Sequence, residues 1–392
     1  MKQPALLTLA ATVLVVAGVS YAALVAAQEM VVEDHQRHGP PPAALEACRD
    51  ASPGAMCRMA TPGGELSGSC RRVPSGQLAC VPEGARRPER SASGTALPDA
   101  HLRRHTTVQS DGPPTLYPAT QAPIADSEFN VAIKGAQRYI TANGIAEHNT
   151  GKFPNPDNPN RIGAQHYTDY IPSHPQMAQQ VTPLELGMDF GIAVNGVPFD
   201  PGAAEFYRGD RRSGWQYEPL SGALLLGLDE NHAHVQPTGA YHYHGLPTLL
   251  LEDLGIGVGG VAAGSVAVGD HSVQVGWAAD GFPIYALYGY SAAGDASSPV
   301  VELTSSYRLK SGSRPAGAGD PGGFYDGTFT RDYEYVPGLG DLDECNGRYT
   351  VTPEFPQGTY AYFLTRGWPV IPRCFRGQPS RDFFHRPGQN RH

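Results

Sequence analysis

The chain has 392 residues and a formal net charge of −9, enough length for two or three domains. No block of Lys and Arg stands out, which argues against a nucleic-acid partner. Its 47 Gly and 36 Pro together exceed the usual share of about 12%, favouring turns and short strands over long helices. A hydrophobic share of 40% still supplies a core and excludes a wholly disordered chain.

At the start, Lys2 precedes an apolar stretch from Pro4 to Ala27, and Val25-Ala26-Ala27 has the small-x-small pattern that signal peptidase accepts. Residues 1–27 are read as a signal peptide in preference to an uncleaved membrane anchor, although the stretch approaches the ~20 residues that span a bilayer. No later apolar run has spanning length. The remainder is expected in an oxidising location: periplasm, cell surface or medium. Residues 28–43, with Pro40-Pro41-Pro42, read as a flexible lead.

Six cysteines in an exported chain are expected as disulfides. Cys48, Cys57, Cys70 and Cys80 fall in a small module, residues 44–82, too short to bury much apolar surface without such staples. Four cysteines allow three pairings. A four-cysteine zinc site is the alternative, disfavoured because no C-x2-C pair is present. Cys345 and Cys374 lie far downstream and are expected to pair with each other. Residues 83–127, rich in Arg, Pro, Ser and Thr, read as a linker carrying His101 and His105.

From 128 to 378 short apolar runs alternate with turn residues. Phe190–Val194 runs into Asn195-Gly196, and Ser272–Trp277 is followed by Asp280-Gly281; both dipeptides are strong turn signals. Val300–Leu303, Tyr333–Val336 and Thr359–Leu364 are strand-like. Helical periodicity is weak, with a short helix expected near Val131–Asn143. The stretch reads as one mainly β domain, a β-sandwich or distorted barrel, with residues 379–392 as a tail.

The most informative segment is Asp229-Glu-Asn-His232-Ala-His234-Val-Gln-Pro237-Thr-Gly239-Ala-Tyr241-His242-Tyr243-His244-Gly245. In a strand, residues i and i+2 share a face. His232 and His234 therefore point one way, as do His242 and His244. Pro237 suits the first central position of a type I turn, and Gly239 can take the left-handed conformation of the next step. This three-residue loop pairs Gln236 with Ala240, sets His234 opposite His242, and sets His232 opposite His244. A two-residue loop would need φ > 0 at Pro237, which proline cannot adopt. All four imidazoles are then expected on one face, with opposite Cβ atoms about 5 Å apart, so that their nitrogens can converge on an ion. Hydrogen-bonded core histidines, a neutral surface patch and a metal-free catalytic or pH-sensing role are the competing readings. Imidazole ligands suit Cu, Zn, Fe or Ni; the exported setting favours copper, with zinc second.

Asp229 and Glu230 could be ligands, orient an imidazole or act as a base. Tyr241 and Tyr243 fall on the opposite face as core. His271 and Asp280 are further candidates to reach the histidines, Asp280 more simply as a turn cap. Pro237–His244 and Pro356–Phe363 share the pattern P-x-G-x-Y-x-Y, through either an internal duplication or repeated turn chemistry. Asp341, Asp343 and Glu344 lack a regular calcium-loop spacing. His148, His166 and His174 carry no spacing signal, and no G-x-S-x-G elbow, P-loop or dinucleotide fingerprint appears.

Gly239-Ala-Tyr-His-Tyr-His-Gly-Leu-Pro247 resembles the signature of the bacterial YHYH domain family. Matching stretches are Gly191–Pro198, Gly276–Tyr285, Gly340–Gly347 and Thr352–Tyr362. The resemblance covers most of 130–378. It implies the domain and an exported context, and no activity. Three functions remain open: a metal-binding protein using the four histidines with copper or zinc; a metalloenzyme (oxidoreductase or hydrolase) on the same ligands; and a structural or adhesive surface module without metal, in which the cysteine module docks a protein partner.

Overall fold

The computed structural model describes residues 42–61, 64–72, 77–82, 106–258 and 270–384. The expected signal peptide, nearly all of the lead, His101, His105 and the end of the tail lie outside the described residues. No helix among the described residues is long and apolar enough to cross a membrane.

The cysteine module opens with a short helix, α1 (Pro42–Glu46), followed by β1 (Met56–Thr61), β2 (Gly64–Arg72) and β3 (Leu78–Pro82) in an antiparallel meander. Cys48 pairs with Cys70 and Cys57 with Cys80. The interior is little more than these sulfurs with Ala44, Met59 and Ala79, so the cross-links supply what so small an apolar core cannot. The sulfurs of Cys48, Cys57 and Cys80 are close enough to share an ion, but all three are spent in disulfides, which removes the zinc alternative.

Residues 106–127, within the stretch expected as linker, carry backbone pairings to the β-rich part of the chain. Thr106 bridges Leu224, Tyr117 bridges Asp229 and Gln121 bridges Thr150. The helix expected near Val131–Asn143 is instead a β-hairpin, β4 (Phe129–Lys134) and β5 (Gln137–Ala142), extended by β6 (Tyr167–Pro172). The physical reason is visible in β5, which buries alternate residues, Arg138, Ile140 and Ala142. That period of two belongs to a strand, and Gly135 at φ +63° closes the turn.

The remaining strands are β7 (Thr182–Pro183), β8 (Gly191–Ala193), β9 (Pro198–Phe199), β10 (Ala233–Val235), β11 (Tyr241–Tyr243), β12 (Gly276–Ala278), β13 (Pro283–Ala286), β14 (Tyr288–Tyr290), β15 (Val300–Glu302), β16 (Tyr307–Leu309), β17 (Tyr333–Tyr335), β18 (Gly347–Thr350), β19 (Thr359–Leu364) and β20 (Cys374–Phe375). A short helix, α2 (Thr248–Asp253), comes after β11. Eight strands form one sheet in the order β10-β11-β9-β8-β12-β13-β19-β18. It ends on β10 and β18 without closing, so the fold is mainly β in layered sheets and not a barrel. One face packs with the β4–β6 sheet in a common core that includes Ile140, Ile171, Phe190, Ile192, Tyr241 and Tyr362.

The order of that sheet is palindromic. In each half an antiparallel hairpin (β10/β11 or β18/β19) lies parallel to a second hairpin (β9/β8 or β13/β12), and β8 meets β12 antiparallel at the centre. The inner hairpins read Gly191-Ile-Ala-Val-Asn-Gly-Val-Pro-Phe199 and Gly276-Trp-Ala-Ala-Asp-Gly-Phe-Pro-Ile284. In register, Gly191, Ala193, Gly196 and Pro198 match Gly276, Ala278, Gly281 and Pro283. The P-x-G-x-Y-x-Y segments occupy equivalent places in the outer hairpins, where Gly239 and Gly358 both have φ +89°. The two halves are copies of one motif.

Cys345 and Cys374 are bonded as expected and tie the entry of β18 to β20. Their sequence separation of 29 encloses β18 and β19. Replacing both by alanine is expected to lower stability by about 2–4 kcal/mol, read by urea denaturation of oxidised wild type beside the variant. An unchanged midpoint would show the staple to be redundant.

Candidate metal centre

The hairpin forms in the expected register. Val235 pairs with Tyr241, His234 with His242 and Ala233 with Tyr243. The loop Pro237-Thr238-Gly239 closes through Gln236 N to Ala240 O at 2.9 Å and Gly239 N to Gln236 O at 2.9 Å. The tyrosines face the core and the histidines face away from it. The histidine face is covered too: His234, His242 and His244 are only 4%, 2% and 3% exposed.

Three histidines converge, not four. The ring centroids of His234, His242 and His244 are each 4.7 Å from the other two. His244 Nε2 lies 3.1 Å from His242 Nε2 and 3.0 Å from His234 Nε2. His232 stands apart. Its φ of +53° breaks the strand alternation on which four-fold convergence rested, because only residues in extended backbone keep i and i+2 on one face. Its Nδ1 lies 2.9 Å from the Leu246 carbonyl, and the ring lines a separate cavity of about 320 Å³ with Leu246, Thr248, Glu252, Val258 and Arg366. Burial depresses its pKa.

The second half of the sheet shows why His232 sits there. Asn346 occupies the equivalent position at φ +54° and donates to the carbonyls of Phe363 and Pro369 at 2.9 and 3.1 Å. Both side chains cap the backbone that leaves the partner strand. The capping position comes three residues after Asp229 in one half and Asp343 in the other. Gly245 tightens the first version: a Cβ there would meet His232 Cβ at 2.9 Å.

The protonation of two of the three rings is set by their outer partners. His234 Nδ1 lies 2.9 Å from Leu226 O, and His242 Nδ1 lies 3.2 Å from Ala240 O. A carbonyl only accepts, so both Nδ1 atoms carry the proton and both neutral rings present an Nε2 lone pair to the centre. An imidazole whose outer nitrogen donates to a carbonyl is the arrangement that orients a metal ligand. A tetrahedral ion with metal–nitrogen distances of about 2.0–2.1 Å has nitrogen–nitrogen edges of about 3.3 Å. The observed 3.0 and 3.1 Å reach that value with a few tenths of an ångström of outward movement.

The expected supporting residues take other places. Asp229 is fully buried on the tyrosine side. It accepts from Tyr241 OH at 2.6 Å, Gly151 N at 2.8 Å, Asn231 N at 2.9 Å and Ala233 N at 3.3 Å. Burial raises its pKa and these donors partly offset the rise. Asp343 repeats the pattern with Tyr360 OH, Cys345 N and Gly347 N. Glu230 is exposed and accepts from Ala119 N at 2.9 Å. His271 packs among Tyr285, Tyr290 and Phe363, not with the triad. Asp280 accepts from Tyr362 OH at 2.6 Å and Gly377 N at 2.9 Å, so it is a turn residue with a tertiary bond.

Residues without a spacing signal complete the support. His148 Nδ1 lies 2.7 Å from Asn149 O, and its Nε2 receives Tyr243 OH at 2.6 Å; Asn195 Nδ2 donates to the same oxygen at 2.8 Å. Asn195 and Asp280 are equivalent in the two halves, and so are Tyr243 and Tyr362. The only hint in the chain was the shared turn dipeptide.

Asp280 also gives a pH test. Burial raises its pKa from 3.8 to about 6. A carboxyl whose folded pKa exceeds its unfolded one costs nothing below about pH 4 and progressively destabilises the fold as pH rises through 6, by about 3 kcal/mol in full. A carboxyl-carbon NMR titration is expected to place Asp280 near 6; a midpoint near 4 would contradict this environment.

No curated protein and no solved structure matches the chain. A family model described as YHYH protein matches residues 168–377, more than half of the chain and all of the palindromic sheet, and the chain therefore belongs to the YHYH family.

Proposed function

We propose that this is an exported metal-binding protein whose YHYH domain holds one copper or zinc ion on His234, His242 and His244. The observation that carries the reading is the meeting of three buried Nε2 atoms at 3.0–3.1 Å with the outer nitrogens of His234 and His242 committed to carbonyls. Without an ion, His244 Nε2–H is the one inward donor for two acceptors, the Nε2 atoms of His234 and His242, and a buried acceptor that is only partly satisfied is costly. An ion takes all three as donors. The three disulfides support export. They also leave no thiolate among the described residues to compete with the imidazoles for the ion.

The second half supports a binding role over catalysis. His234, His242 and His244 are replaced there by Arg348, Ala361 and Phe363, and Ala361 and Phe363 sit in a small apolar core with Tyr285, Leu303 and Leu342. Apolar packing closes one copy where the histidine cluster closes the other. The rings are almost inaccessible, as a holding site requires.

Elemental analysis of protein from a disulfide-competent preparation tests the reading, with the His242→Ala/His244→Ala variant alongside. Close to one equivalent of copper or zinc, lost in the variant, is the expected result. A metal-free wild type that stays so after dialysis against each ion would sink it.

A further inference from the structure

A dication on three neutral imidazoles carries its whole charge into a buried place, where an uncompensated charge is strongly disfavoured. The three histidines bring no anion of their own. On the histidine face the neighbouring strand offers one. The parallel pairing of β11 with β9 sets Tyr243 beside Phe199, and Asp200 N donates to Tyr243 O at 3.0 Å. Phe199 turns to the core with Tyr243. Asp200, the next residue, therefore faces the side of His242 and His244, and it is only 9% exposed.

The duplicate half gives an independent view. Its residues at the positions of Asp200 and His244 are Tyr285 and Phe363, paired in the parallel register of β13 and β19. Their rings stack at 5.7 Å. Side chains at these two positions are thus direct neighbours in this motif. Asp200 is also directed across β11: its Oδ2 is 3.4 Å from Gln236 Nε2 beside β10, and its Oδ1 accepts from Gly202 N at 3.0 Å. It lies outside the cluster whose ligand atoms are all within 4.8 Å of one another, so its role is that of a charge beside the strand that carries the ligands and not that of a ligand.

Resting on the metal-binding reading, we propose that Asp200 is the counter-charge of the three-histidine centre and makes it selective for a divalent ion over a monovalent one. Three imidazoles alone would also accept copper(I). A fixed neighbouring carboxylate favours the ion with the larger charge, and its removal penalises the dication more.

The test is the affinity of wild type and of Asp200→Asn for zinc(II) and for silver(I), the latter an air-stable probe of monovalent binding, by competition titration in chloride-free buffer. Asp200→Asn keeps the shape, and circular dichroism verifies the fold; Asp200→Ser is the second variant should the first be unfolded. Loss of a neighbouring partner of a metal site costs about 10–100-fold in affinity. That loss is expected for zinc(II), with silver(I) losing only about 3–10-fold, because a single charge feels half the interaction energy of a double one. Equal losses for the two ions, or none, would overturn the proposal while leaving the site standing. A wild type that binds neither ion would instead overturn the metal-binding reading, and this proposal with it.

Discussion

Alanine at His234, His242 or His244 is expected to weaken zinc binding at least about a hundredfold each, since a structural ion is held by about 10–16 kcal/mol shared among its ligands. Alanine at His232 is expected to leave the affinity within about threefold. The contrast comes from backbone geometry. His234, His242 and His244 project together from the hairpin, whereas His232 is at φ +53° and spends its Nδ1 on Leu246 O. His232→Ala should lower stability instead, by about 1–2 kcal/mol, because the buried carbonyl loses its donor. Isothermal titration and thermal melts with and without zinc read both effects. A loss of affinity in His232→Ala comparable to the others would restore a four-histidine site.

The second large effect is expected at Asp229, whose carboxylate receives three backbone N–H groups and the Tyr241 hydroxyl. Asp229→Ala abandons four buried donors, and the cost should reach about 3–5 kcal/mol. Asp343→Ala removes the same device from the other half. Asp343 is partly exposed, so water can replace some of what is lost, and about 1–3 kcal/mol is expected. Urea denaturation of the two variants decides it. Equal costs, or a cost below about 1 kcal/mol at Asp229, would show that the aspartate does not hold the hairpin entry.

Much of the site was legible from local rules. The turn chemistry of Pro237-Thr238-Gly239 determined the register, and the register put His234 opposite His242. Period-two reasoning assigned Tyr241 and Tyr243 to the core, where they are. The Cys345–Cys374 pairing and the strands at Val300, Tyr333 and Thr359 came from composition and spacing. What failed did so where a local rule has an exception. Alternation cannot foresee a left-handed residue at the mouth of a strand, and His232 is such a residue. The Val131–Asn143 segment carries helix-compatible residues whose strand pairing is set by distant partners on β6.

The duplication was half visible. The P-x-G-x-Y-x-Y repeat alone could not separate a copied motif from convergent turn chemistry. Sheet order, closely similar φ values at His232 and Asn346, and the matched hydrogen bonds of Asp229 and Asp343 do so together. Asp200 could not be found before the sheet was known, because its approach to the histidines depends on a parallel contact between segments far apart in the chain.

The most direct measurement of the central claim is X-ray absorption at the metal edge of the zinc- or copper-loaded protein. Three imidazole nitrogens at about 2.0–2.1 Å, unchanged in His232→Ala and reduced in His244→Ala, are the expected result. Four imidazoles that fall to three in His232→Ala, or a first shell dominated by oxygen, would contradict the three-histidine centre.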